Sequence, residues 1–129
     1  MEMLLRIIQS EVKRLDAMTR LNATEEVDVK FDDSSKFYGR YTVSAGRKTF
    51  VFSRYYFFPE EVMIMIVRHE YAHYMCHSIY RCMDHSFLYE KCAKHIGCND
   101  RVVYAFLAKN GIPPPYTQIQ GTHNTLSTT

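Results

Sequence analysis

Apolar positions along the chain fall into three rhythms. Leu4, Ile7, Ile8, Val12, Leu15 and Met18 recur at three- and four-residue intervals, which predicts an amphipathic helix over residues 2–21. Val27, Val29 and Phe31 then alternate with polar residues, the signature of a half-buried strand, and Asp32-Asp33-Ser34-Ser35 interrupts it as a turn. Tyr41 and Val43, followed by Phe50 and Phe52, alternate on either side of Ala45-Gly46-Arg47, so an antiparallel hairpin is expected there. Helical spacing resumes at Pro59-Glu60-Glu61, where a first-turn proline and two acids suit a helix N-terminus, and continues to about Ser78. A second helix is expected from a cap at Asp84 to Gly97, and a last one from Asn99 or Asp100 to Asn110-Gly111, ahead of Pro113-Pro114-Pro115. Tyr116 to Thr129 is polar and aperiodic. The pattern therefore predicts one α+β domain over residues 1–112 and a flexible tail over 113–129. The domain would hold an N-terminal helix, a three-stranded, mostly antiparallel sheet, and the later helices.

Composition adds bounds. A chain of 129 residues with 47% hydrophobic and 23% charged residues has the size and balance of one globular domain. Its uninterrupted apolar stretches, such as Val62 to Val67, are far too short to span a bilayer, so no membrane partner is expected. Glu2 and Arg6 break the first apolar run, which argues against a signal peptide and for a reduced, cytoplasmic protein. The cysteines, Cys76, Cys82, Cys92 and Cys98, contain no C-x-x-C pair, and buried free thiols are the expectation. Charge is uneven. Residues 1–33 carry five bases and eight acids, 34–59 carry five bases and no acid, and 60–129 balance at six against six.

All four cysteines and five of the six histidines lie between His69 and Cys98, and the chemistry is concentrated there. His69-Glu70-Tyr71-Ala72-His73 is an H-E-x-x-H motif inside a predicted helix. Residues four apart share a helical face about 6 Å apart along the axis, so both imidazoles can converge on one Zn²⁺. Glu70, about 100° around the helix, would reach a zinc-bound water as general base. A catalytic zinc needs a third protein ligand and an open position. His77 continues the spacing but would stand about 12 Å along the axis from His69, too far to share the ion. His85 and Glu90 are the candidates. His85 is favoured because the eleven residues after His73 let the first helix end and the chain turn back. His95 stands near the far end of the second helix and has no assigned role.

Taken together, these residues resemble the SprT-like zinc metalloproteases, the family that includes Spartan. The matching parts are Phe50-Val51-Phe52-Ser53, Pro59-Glu60-Glu61, His69-Glu70-Tyr71-Ala72-His73, His85-Ser86 with Tyr89, and Ile96-Gly97. The N-terminal helix, the strand near Val27 and Tyr38-Gly39-Arg40 extend the likeness over roughly residues 1–100. After its third histidine the family usually has a glycine and an acidic residue, where this chain has Ser86 and Leu88. The resemblance implies a zincin-like fold, zinc ligands His69, His73 and His85, and catalytic Glu70. ImmA/IrrE peptidases share the H-E-x-x-H helix but use a glutamate ligand, which Glu90-Lys91-Cys92-Ala93 matches loosely.

Segment 34–59 interleaves five cations with nine aromatic residues, a mixture that single-stranded nucleic acid uses for stacking and phosphate contact. DNA or a DNA-bound protein is thus a candidate partner, beside the plainer reading of a hairpin with its aromatics inside. Ala93, Gly97, Val103 and Phe106 fit helix-turn-helix spacing, but Arg101 to Lys109 is mostly apolar and a packing hairpin of helices explains it better. Residues 48–53 are expected to act as the edge strand that pairs with a substrate backbone. The leading expectation is a zinc endopeptidase acting on a polypeptide. Its rival is a metal-stabilised module that binds nucleic acid or protein without turnover.

Overall fold

A computed structural model of the chain describes residues 2–114 and 126–128. The elements in chain order are α1 (Glu2–Thr19), α2 (Ala23–Glu26), β1 (Val27–Asp32), β2 (Gly39–Ser44), β3 (Arg47–Ser53), α3 (Glu60–Tyr80), α4 (Phe87–His95), α5 (Asp100–Lys109) and β4 (Leu126–Thr128). The fold is α+β. No helix among the described residues is long and apolar enough to cross a membrane.

The sheet differs from the expected one. Its strand order is β1-β3-β2-β4, and it is mixed. The hairpin pairs β2 antiparallel to β3, with Tyr41 opposite Phe50 across the Ala45-Gly46 turn, where both residues have positive φ. β1 lies parallel to β3, Val29 opposite Phe50, because the chain leaving β1 crosses over before β2 begins. β3 is consequently an inner strand, flanked by β1 and β2. Residues 48–53 are therefore not an edge, and the expectation that they pair with a substrate is corrected: the backbone groups of β3 already face two neighbours. Leu126–Thr128, within the segment expected as a flexible tail, pairs antiparallel with β2. Residues 115–125 and 129 lie outside the described residues.

α3 is apolar on nearly every side because it is the hub, in contact with α1, β2, α4 and α5. An aromatic layer of Tyr41, Phe50, Phe52, Tyr71 and Tyr74, all essentially buried, joins the sheet to α3. Each such ring is worth about 2–3 kcal/mol in burial. On the opposite side Ile8, Val12 and Leu15 of α1 close the core. A polar clamp holds α1 against α3: Glu11 accepts from Arg14 at 2.7 Å and from Arg68 Nε at 2.7 Å, and Arg68 also donates to the Gly97 carbonyl beyond α4.

Local signals set the helix ends with two adjustments. α3 starts after Pro59 and stops at Arg81, which takes a left-handed φ of 59°. Asp84 does not cap α4. Its carboxylate accepts from the Ser86 amide at 3.2 Å and the Cys82 thiol at 3.0 Å, so it shapes the connecting loop, and Ser86 is the cap residue. Asn99 caps α5 by accepting from the Arg101 amide, which leaves Asp100 for other work.

Candidate metal centre

His69 and His73 project from consecutive turns of α3, and His85 comes from the loop just before α4 rather than from that helix's first turn. Their Nε2 atoms converge. His73 Nε2 lies 3.0 Å from His85 Nε2, and His85 Nε2 lies 3.4 Å from His69 Nε2. Ligand nitrogens 2.0–2.1 Å from a tetrahedral zinc stand roughly 3.3 Å apart, so the donor set has the size and chemistry of a zinc site. Three imidazole nitrogens facing one point compete for the same protons, and a cation at that point satisfies all three lone pairs at once. Glu90 is exposed and lines the adjoining cleft, outside this group. His77 instead bonds the Tyr41 hydroxyl through Nδ1 at 3.0 Å, and His95 is exposed.

The rings are held from behind. The proton on His69 Nδ1 is shared between Asp100 Oδ1 at 3.2 Å and the Tyr89 oxygen at 2.9 Å, and the Tyr89 hydroxyl can donate to the His69 carbonyl. That arrangement turns Nε2 toward the cluster, where it is bare in the neutral ring. Tyr89 also stacks on His73, centroids 4.3 Å apart and planes 20° apart. Burial favours a neutral His69, yet Asp100 and Cys98 beside Nδ1 raise its pKa well above the ordinary value. Burial, then the charge of His69, pushes His73 and His85 down, so those two rings are neutral and suited to coordinate. The Nδ1 atom of His73 is buried without a partner among the described residues.

Glu70 is 2% exposed and its Oε1 has no hydrogen-bond partner among the described residues. Burial lifts its pKa to about 7, against the opposing pull of His69, Arg40 and the Tyr41 backbone N–H. Gly39 permits a close approach here: a Cβ at that position would stand 3.1 Å from Glu70 Cγ and from Ile66 Cγ2, so those side chains would have to give by a few tenths of an ångström. The carboxylate thus sits in a slot between α3 and the start of β2. In front of it opens a cleft of about 310 Å³, walled by Tyr38, Ile66, Val103 and Tyr104 with Glu90 at its side.

Motif spacing does not reach Asp100 or Gly39. Asp100 reads as a possible cap for α5, and the one sequence signal for a further role is that Asn99 and Asp100 together supply one more cap than α5 needs. Gly39 entered only as part of a family-like tripeptide. In the basic segment, Phe37, Tyr38, Tyr41, Phe50 and Phe52 are buried, while Lys48 pairs with Glu26, Arg54 with Asp33, and Arg40 lies over the Phe37 ring. Tyr55 and Phe57 remain exposed. No family model, no curated protein and no solved structure matches this chain.

Proposed function

We propose that the chain is a zinc-dependent endopeptidase of the SprT-like kind, with His69, His73 and His85 as metal ligands and Glu70 as general base. The observation that carries this reading is the convergence of three Nε2 atoms beside a buried carboxyl whose Oε1 has no partner among the described residues. A zinc ion held there would polarise a peptide carbonyl and lower the pKa of water toward roughly 7.

The chain's own groups supply the rest. Glu70, with a pKa of about 7, can accept a proton from the attacking water at Oε1 and return it to the leaving amine. The Tyr41 amide and the close approach of Gly39 keep that carboxylate from swinging away. Asp100 and Tyr89 fix the orientation of His69. Ile66, Val103 and Tyr104 offer an apolar wall to a substrate side chain and keep water from one side of the cleft. β3 is enclosed by β1 and β2, whereas β2, the strand beside the site, has among the described residues only the short β4 on its outer side. An extended polypeptide lying antiparallel to β2 in place of β4 would pass over Glu70.

The test is cleavage of casein by zinc-loaded protein, with and without chelator. Wild type should cleave and the chelator should stop it. Glu70→Gln should retain one zinc per chain and lose about 10²–10⁴-fold in rate, the usual worth of a general base. His85→Ala should lose the metal. A fully active Glu70→Gln protein would falsify the mechanism, and a zinc-replete His85→Ala protein would remove His85 from the ligand set.

A further inference from the structure

Resting on that reading, we propose that Leu126–Thr128 is a built-in competitor for the polypeptide site, seated on the outer edge of β2 that an extended substrate must take. The sheet has β2 between β3 and β4, so β4 covers the edge that would otherwise face outward. The register gives the direction. Leu126 lies opposite Val43, Ser127 opposite Thr42 and Thr128 opposite Tyr41, so β4 runs antiparallel to β2 and toward Gly39. Gly39 is the residue packed against Glu70, and the Tyr41 amide bonds the Glu70 carboxylate. A chain in the register of β4, continued two residues past the level of Thr128, advances about 7 Å and comes level with Gly39 beside the histidine cluster. The segment therefore lies in the track of a peptide entering the cleft from its N-terminal side.

Main-chain pairing of this kind is tolerant of side chains, and so the same edge accepts the chain's own strand or most extended sequences. Being tethered, the internal strand has the advantage of a high effective concentration. Among the described residues, however, its ladder spans three residue pairs. A longer extended segment that pairs with β2 and also places a side chain against Ile66 and Val103 displaces it. The device discriminates against short peptides and in favour of long unfolded polypeptide.

The test uses the full chain carrying Ser127→Pro together with Thr128→Pro. Successive amides of a strand point to opposite sides, so one of the two prolines must remove a ladder hydrogen bond. Binding of fluorescein-labelled casein is followed by anisotropy with zinc and with chelator, and amide exchange is read at Tyr41, Thr42 and Val43. If the internal strand holds the edge nine-tenths of the time, freeing it tightens casein binding about tenfold. Protection should fall in the variant at those of residues 41–43 whose amides face β4, and return when casein is added, while amides facing β3 stay protected. Tighter binding with loss of protection upholds the proposal even if neither protein cleaves, in which case only the peptidase reading fails. Equal binding by the two proteins, or unchanged protection at the amides facing β4, overturns it.

Discussion

A histidine serves as a metal ligand only in the tautomer that leaves the facing nitrogen bare, and at His69 that choice belongs to its neighbours. Asp100 and Tyr89 occupy the Nδ1 side and so direct the Nε2 lone pair at His73 and His85. Asp100→Asn keeps the shape and removes the charge that holds the ring. Zinc affinity should fall about 10–100-fold, the usual cost of losing a carboxylate behind a ligating histidine. Competition against a chromophoric chelator measures it. Thermal stability of the metal-free protein should barely move, because the Asp100 side chain is 42% exposed. Unchanged zinc affinity would show that Tyr89 alone orients His69. At this scale His69, Glu70 and His73 were legible because one helical turn fixes their relation. Asp100 was not, since its link to His69 spans 31 residues and depends on how α5 docks on α3.

Elements were legible where periodicity is local and less so where pairing is remote. α3 and the β2–β3 hairpin follow from spacing and turn chemistry. The parallel pairing of β1 with β3 does not, because alternation in Val27, Val29 and Phe31 gives a buried face without naming a neighbour. His85 falls outside α4 for a comparable reason: Asp84 could serve as a cap or as a loop brace, and the thiol of Cys82 settles it as a brace. The joint between α1 and α3 makes a prediction of its own. Burial would raise the pKa of Glu11, but Arg14 and Arg68 outweigh it and hold the carboxyl below its ordinary value of 4.5. A group depressed in the folded state stabilises it fully above the unfolded pKa, and that contribution disappears as pH falls through the lower folded value. Glu11→Gln should therefore cost about 2–3 kcal/mol at pH 7 in urea unfolding, the worth of hydrogen bonds to charged partners. The gap to wild type should narrow as pH falls below the ordinary carboxyl value of 4.5 and close once pH has passed the lower folded-state value. A gap that does not narrow on acidification would mean that shape, not charge, holds the joint.

At the scale of the whole molecule, the metal site lies where the architecture has least reason to hold together unaided. α3 is anchored to α1 and the sheet by buried aromatics and the Glu11 clamp, while His85 sits on the loop between Arg81 and Ser86, exposed and braced mainly by Asp84. Three ring nitrogens facing one another repel, and one must carry a proton or meet a cation. A zinc ion there would join the loop to α3, and binding to the folded state alone would stabilise it by RT ln(1 + [Zn]/Kd), about 4 kcal/mol at a thousandfold excess over Kd. For a chain of this length that corresponds to a rise in Tm of roughly 12–20 °C. Melts in zinc and in chelator should show this difference for wild type and for Glu70→Gln, since that substitution leaves the ligands in place. His85→Ala should abolish the difference while leaving the chelated Tm within a few degrees, because an exposed loop side chain contributes little to the metal-free fold. A wild-type Tm indifferent to chelator would mean that the three nitrogens converge without a metal, and the histidine cluster would then have to be held by the proton on His69.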